Sequence, residues 1–163
     1  MVNEALKEVR DMLETAMGSS VVKSFYAGDV GLPYKDALPA VIVRERYTKV
    51  ARKSTAKDQY THGLSILVVM DMRRDIATAG LTDDIVAHKQ RLRNLMEEAD
   101  TDGAPKTTTV LGALMKQSNI RGTNYIYNLD PYVDYNPSAP GDFFYVAAEI
   151  TLDVMSEIVT RKA

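Results

Sequence analysis

Leu38-Pro39-Ala40-Val41-Ile42-Val43-Arg44-Glu45-Arg46-Tyr47-Thr48-Lys49 and, further on, Leu64-Ser65-Ile66-Leu67-Val68-Val69-Met70-Asp71-Met72 are the two stretches on which the fold turns. The first is apolar from Ala40 to Val43 and then largely charged to Lys49. The run 51–59 is polar, without Gly or Pro, and the second stretch is again strongly apolar. Two strands whose apolar halves lie far from their connection make a hairpin rooted in the core, with its distal half standing out into solvent as an arm. In the second strand Leu64, Ile66, Val68, Met70 and Met72 share one face and Leu67 and Val69 the other, so its centre is expected to be covered on both sides.

Upstream, Val2, Leu6, Val9, Leu13 and Ala16 recur at intervals of three or four, with Glu4, Lys7, Glu8, Arg10 and Asp11 opposite. That is an amphipathic helix, ended by Gly18 at a position that tolerates a left-handed backbone. Gly28, Gly31, Pro33 and Pro39 punctuate the next segment, and the cluster Val21, Val22, Phe25, Tyr26 predicts a short strand before an irregular loop. Downstream, Thr82 is the expected N-cap of a helix with Asp83 and Asp84 in its first turn. Ile85, Leu92, Leu95, Met96 and Ala99 form its stripe, up to Asp100-Thr101-Asp102-Gly103. A shorter helix is expected from about Thr107 to Gln117, although Gly112 and three consecutive threonines are poor helix formers.

Strand character returns at Thr123–Leu129. A loop rich in Pro, Asp and Asn spans 130–142, and a long strand starts at Phe143. There Phe144, Val146, Ala148, Ile150, Leu152 and Val154 alternate with Tyr145, Ala147, Glu149, Thr151 and Asp153. About a dozen residues at ~3.3 Å each approach 40 Å, long for a chain of 163 residues. No repeat or linker divides the sequence, so the expectation is one α+β domain over residues 1–163.

Composition excludes several functions. With no cysteine there is no disulfide, thiolate metal site or cysteine nucleophile. The longest apolar stretch, Leu64 to Met70 with Ser65 inside it, is far shorter than the ~20 residues of a membrane helix, and no secretory signal is visible at Met1-Val2-Asn3-Glu4. The expectation is no membrane partner. Net charge is −2, against general phosphate neutralisation. Between residues 44 and 59, however, six basic residues (Arg44, Arg46, Lys49, Arg52, Lys53, Lys57) face Glu45 and Asp58, so this segment carries +4 and the remainder −6. The segment is therefore a candidate docking element.

Chemistry finds little foothold. His62 and His88 read as structural or solvent-facing, because neither has a motif neighbour suited to metal or acid–base work. Asp100-Thr101-Asp102-Gly103 opens like a calcium loop, but Leu111 stands where the closing glutamate belongs, so a helix-ending turn is the reading. Asp71, Asp75, Asp83 and Asp84 flank a strand end where Arg73, Arg74 and helix capping account for them. Gly28-Asp29-Val30-Gly31 is too short for a phosphate loop. The tyrosines at 125, 127, 132, 135 and 145 have only Arg121 nearby, which favours packing or an interface over base stacking. No catalytic residue, metal ligand or cofactor site is expected.

The order of features is similar to that of a known family. The N-terminal helix, the Gly-rich loop, Leu38-Pro39-Ala40-Val41-Ile42-Val43, the charged arm, Leu64 to Met72, the helices and the closing Phe143-Phe144-Tyr145-Val146-Ala147-Ala148-Glu149-Ile150-Thr151-Leu152 resemble the tail terminator proteins of long-tailed bacteriophages. That resemblance implies a mixed, mainly antiparallel sheet flanked by helices. It also implies a hexameric ring of copies of the chain that binds the last ring of tail-tube protein, stops polymerisation and offers a face to a neck or head-completion protein. DNA would pass through the lumen without specific binding, and the protein would sit in the virion tail after assembly in the host cytoplasm. On this reading the basic residues Arg44, Arg46, Lys49, Arg52, Lys53 and Lys57 reach an acidic neighbour, either the next subunit or the tube. Two other readings stay open: another neck or head-completion ring, and an enzyme whose site is built from dispersed residues.

Overall fold

In the structure, a computed structural model, residues 2–31, 35–55, 57–71, 85–116, 119–121, 124–129, 132–135 and 145–159 are described. Helix α1 is Val2–Met17, β1 Ser24–Ala27, β2 Ala40–Arg52 and β3 Lys57–Asp71; α2 is Ile85–Glu97, α3 Val110–Lys116, β4 Asn119–Arg121, β5 Asn124–Leu129 and β6 Tyr145–Val159. The strands form one sheet in the order β1-β2-β3-β6-β5-β4. Among the described residues only β1 and β2 pair in parallel; the other neighbours are antiparallel, which makes the sheet mixed and mainly antiparallel. The fold is α+β.

Period-two alternation sorts the sheet into two faces. Val41, Val43, Leu64, Ile66, Val68, Met70, Ala148, Ile150, Leu152 and Val154 lie in one core with the apolar stripes of all three helices. Ala5, Leu6, Val9, Met12 and Leu13 of α1 are buried there, the four larger side chains contributing up to about 1.5–3 kcal/mol each before entropy is charged. The opposite face carries a smaller cluster of Leu38, Ala40, Ile42, Leu67, Val69 and Ala147, with Tyr26 and Tyr145 packed against it. The centre of β3 is thus covered on both sides, as the apolar run Ile66 to Met70 predicts.

Several boundaries differ from the sequence reading. Helix α2 stops at Glu97, and Ala99 leaves the stripe to form a two-stranded bridge with Pro105. Helix α3 starts only at Val110 because Thr109 caps it: Thr109 Oγ1 accepts from the Gly112 N–H at 3.1 Å and donates to the Lys106 carbonyl at 2.7 Å. Gly112 itself is required by close approach, since a Cβ there would stand 1.9 Å from the Lys106 carbonyl oxygen. The residues that weaken the helix by propensity are the ones that seat it. Strand β4, three residues ending at Arg121, has no counterpart in the sequence reading. The proposed cap at Thr82, Asp83, Asp84, the residues Met72, Arg73, Arg74 and Asp75, the 136–142 part of the polar loop, and Phe143 and Phe144 lie outside the described residues.

The hairpin of β2 and β3 forms in the expected register from Ala40↔Val69 to Arg52↔Asp58. A free two-stranded arm it is not. Strand β6 continues to Val159 and pairs along the whole of β3, ending at Lys57↔Val159, and β5 pairs with β6 as far as Asn124↔Ser156, so the distal half of the hairpin belongs to an extension of the sheet.

Candidate functional site: the charged end of the sheet

Three long strands build this region, and a single irregularity aims its side chains. Between Glu45 and Tyr47 the register of β2 against β3 shifts, with Glu45 opposite Leu64 and Tyr47 opposite Gly63, which leaves Arg46 as the extra residue of a bulge. Because side chains alternate along a strand, one extra residue exchanges the faces of everything beyond it. Tyr47 and Lys49 therefore join the face of Arg44 and Ser65.

On that face Gly63 leaves a gap and the ring of Tyr47 lies across it, with Cε1 2.3 Å from where a Cβ would be. The Tyr47 phenol donates to the Asp153 carboxylate of β6, which holds the phenol above its ordinary pKa. The ring also gathers cations, with Lys49 Nζ 5.0 Å and the Arg46 guanidinium 5.8 Å from its centroid. One step toward the core, Arg44 donates to Glu149 Oε2 at 2.7 Å, both side chains being about one-third exposed or less.

The six basic residues singled out in the sequence thus fall into three settings. Arg44 is engaged within the chain, in a half-buried pair with Glu149. Arg46 and Lys49 flank Tyr47. Arg52 approaches Asp58 at 3.7 Å beside the turn, where Lys53 and Lys57 are exposed. The Lys53 and Ser54 N–H groups donate to the Lys57 carbonyl at 3.0 and 3.2 Å, and the Lys57 N–H returns a bond to Ser54 Oγ at 3.1 Å. The tip carries two lysines, and the backbone of Lys53, Ser54 and Lys57 is held by these bonds.

The opposite face of the same extension is partly closed. His62 is buried, its Nδ1 3.1 Å from Thr48 Oγ1, and among the described residues its Nε2 has no hydrogen-bond partner. Burial pushes its pKa below the ordinary histidine value, against a smaller opposing effect of Glu45. Gln59 is buried on the first face, where its amide donates to Met155 Sδ at 3.1 Å. Neither residue's burial was legible in a polar stretch; the signal was the run of β6 opposite them, which extends past Val154. The side chain of His88 lies outside the described residues.

A second feature is a cleft of 390 Å³ at the other end of β3, lined by Met17, Val22, Met70, Arg91, Leu95 and Glu98 among others. Beside it, residues 98–106 fold back as a tight hairpin: Asp100 N–H donates to Ala104 O at 2.7 Å, Lys106 N–H to Glu98 O at 2.7 Å and Gly103 N–H to Asp100 O at 2.9 Å. Asp102 Oδ1 accepts from the Ala104 N–H at 3.0 Å, and Lys106 Nζ pairs with Glu98 at 2.9 Å. Asp100-Thr101-Asp102-Gly103 is the turn of this hairpin, with Gly103 at φ +87°. No group of three or more metal-ligating side chains occurs among the described residues, and none of their helices is long and apolar enough to cross a membrane. No protein-family profile and no curated protein matches the chain.

Proposed function

We propose that the chain is a structural subunit of a phage tail, a tail terminator whose copies form a hexameric ring on the last ring of tube protein. The ring stops tube polymerisation and offers its other face to a neck or head-completion protein. One observation carries the reading. Of the three long strands, the two apolar clusters draw on Ala40–Val43, Leu64–Met70 and Tyr145–Val154, yet those strands run on to Arg52, Lys57 and Val159. A strand pair that needed only to close the core would end near Thr48, the partner of His62 beside Val154. The surplus is ordered, exposed along β2 and charged, which suits a contact surface.

Such a ring requires contacts that are heterologous and close on themselves, with one surface complementary to the tube and an opposite one that is not. A lumen through which DNA passes must lack a continuous basic lining, and a net charge of −2, with +4 on residues 44–59 and −6 on the remainder, is compatible with that. The basic end then belongs at a subunit or tube contact rather than around the channel.

Charge reversal of Lys49, Lys53 and Lys57 tests the role of the extension, and these positions leave the Arg44–Glu149 pair intact. Particles carrying the variant should show tails of abnormal length or lose head attachment. Tails of normal length on infectious particles would remove the extension from the assembly contact. Binding to purified tube subunits rather than to the portal complex separates a terminator from another ring of the neck.

A further inference from the structure

The molecule has two unlike ends. At one, the exposed residues Arg46, Lys49, Arg52, Lys53 and Lys57 surround the turn between β2 and β3. At the other, the exposed residues Glu97, Glu98, Asp100 and Asp102 surround the hairpin just after α2. Glu98 shares the cleft with Met70, near the end of β3, while Lys57 begins that strand. Fifteen residues of strand therefore separate the two charge clusters, roughly 45 Å. Both ends are ordered by their own backbone hydrogen bonds, so neither needs to be organised on contact.

The basic end also has an open flank. Strand β1 pairs with β2 only from Ala40 to Val43, and the Gly28 N–H to Val43 carbonyl bond at 2.8 Å ends that border. Beyond it, among the described residues, no strand borders the outer edge of β2 from Arg44 to Arg52. Its cations and the bulge at Arg46 protect this edge against indiscriminate strand addition, while they favour a partner surface of opposite charge.

We propose that copies of this chain associate head to tail. The basic end of one, presented by Lys49 on β2 beside its open flank and by Lys53 and Lys57 around the turn that follows, docks on the acidic hairpin of the next, presented by Glu97, Asp100 and Asp102. A twofold contact at either end would set like charge against like, whereas a heterologous contact sets cations on carboxylates and repeats until it closes or runs on. A nucleic acid is the less suitable occupant. Glu45 and Asp58 interrupt the basic end, Asp58 already engages Arg52, and the chain is acidic overall. This inference deepens the ring reading by naming the surfaces through which the copies meet.

Sedimentation at about 20 mM and about 500 mM salt tests it, because exposed charge contacts are screened at the higher value. One variant reverses the basic end (Lys49→Glu, Lys53→Glu, Lys57→Glu) and another the acidic end (Glu97→Lys, Asp100→Lys). Wild type should self-associate at low salt and dissociate at high salt. Each variant alone should lose at least about tenfold in association constant, and an equimolar mixture should recover it, since each then offers the end the other lacks. Wild type that stays monomeric at low salt, or variants that associate as wild type does, would overturn the proposal. So would a basic end whose reversal abolishes only binding to duplex DNA.

Because the chain has no cysteine, Lys57→Cys with Asp100→Cys gives a second measurement that keeps the remaining charges. The two sites are too far apart to join within one molecule, as a disulfide needs Cα atoms within about 7 Å. Oxidation should yield a ladder of covalent oligomers, where either single substitution yields dimers at most; absence of the ladder counts against the contact. If the charges prove irrelevant while tube ends are still capped, head-to-tail docking fails and the ring reading stands. Charge-steered association by a protein that ignores tube ends leaves the opposite result.

Discussion

Tyr47 occupies the space that a side chain at Gly63 would fill. A Cβ on residue 63 would fall 2.3 Å from Tyr47 Cε1, and the same ring places its phenol on Asp153. Three strands are thereby tied across one face, β2 through Tyr47, β3 through the absence of a side chain, and β6 through the carboxylate. The bulge at Arg46 makes the arrangement possible by setting Tyr47 on the face of Gly63.

Gly63→Ala should lower stability by about 1–2 kcal/mol, because the displaced ring forfeits its bond to a charged acceptor. In a Tyr47→Ala background the same substitution should be neutral or slightly stabilising, since alanine is the better strand residue once the ring is gone. Urea unfolding of the four proteins gives the coupling, and additive effects would mean that ring and glycine do not depend on each other.

Helix α3 should be sensitive at the two positions that look least helical. Thr109→Ala removes the cap and is expected to cost about 1–2 kcal/mol. Gly112→Ala, whose Cβ would lie 1.9 Å from a backbone oxygen, is expected to cost about 2–3 kcal/mol or more, although alanine is the stronger helix former. An increase in thermal midpoint for Gly112→Ala would show that the 105–106 backbone yields freely.

His62 gives the protein a pH dependence of definite sign. Burial lowers its folded-state pKa below the unfolded value of about 6.5, so the unfolded chain takes up the proton more readily. Its neutral form supports folding fully above about 6.5, and that contribution fades as pH falls toward the lowered folded value. Unfolding midpoints measured from pH 7.5 downward should drop more steeply for wild type than for His62→Gln. Parallel curves would place the titration elsewhere.

The hairpin, the two-sided burial of β3, the N-terminal helix and the long closing strand were legible because apolar alternation is written directly into those residues. What could not be read depended on partners distant in sequence. Gln59 looks like a solvent-facing residue of an arm, and His62 like a structural or solvent-facing one, until β6 is laid beside them through residues 154–157. Thr109 and Gly112 weaken a helix by propensity, and only the backbone at Lys106 reveals one as a cap and the other as a close approach. Of the basic segment, the charge was legible but its division was not. Glu149 and Asp153, more than a hundred residues away, take up Arg44 and orient Tyr47.

Electron microscopy of polymerising tail-tube subunits, with and without the purified protein, bears most directly on assembly as the function. The expected result is a ring of the protein on one end of each tube and growth that halts there, with the lysine-reversed protein failing to cap. Tubes that lengthen unchanged and carry no added density at their ends would contradict the account.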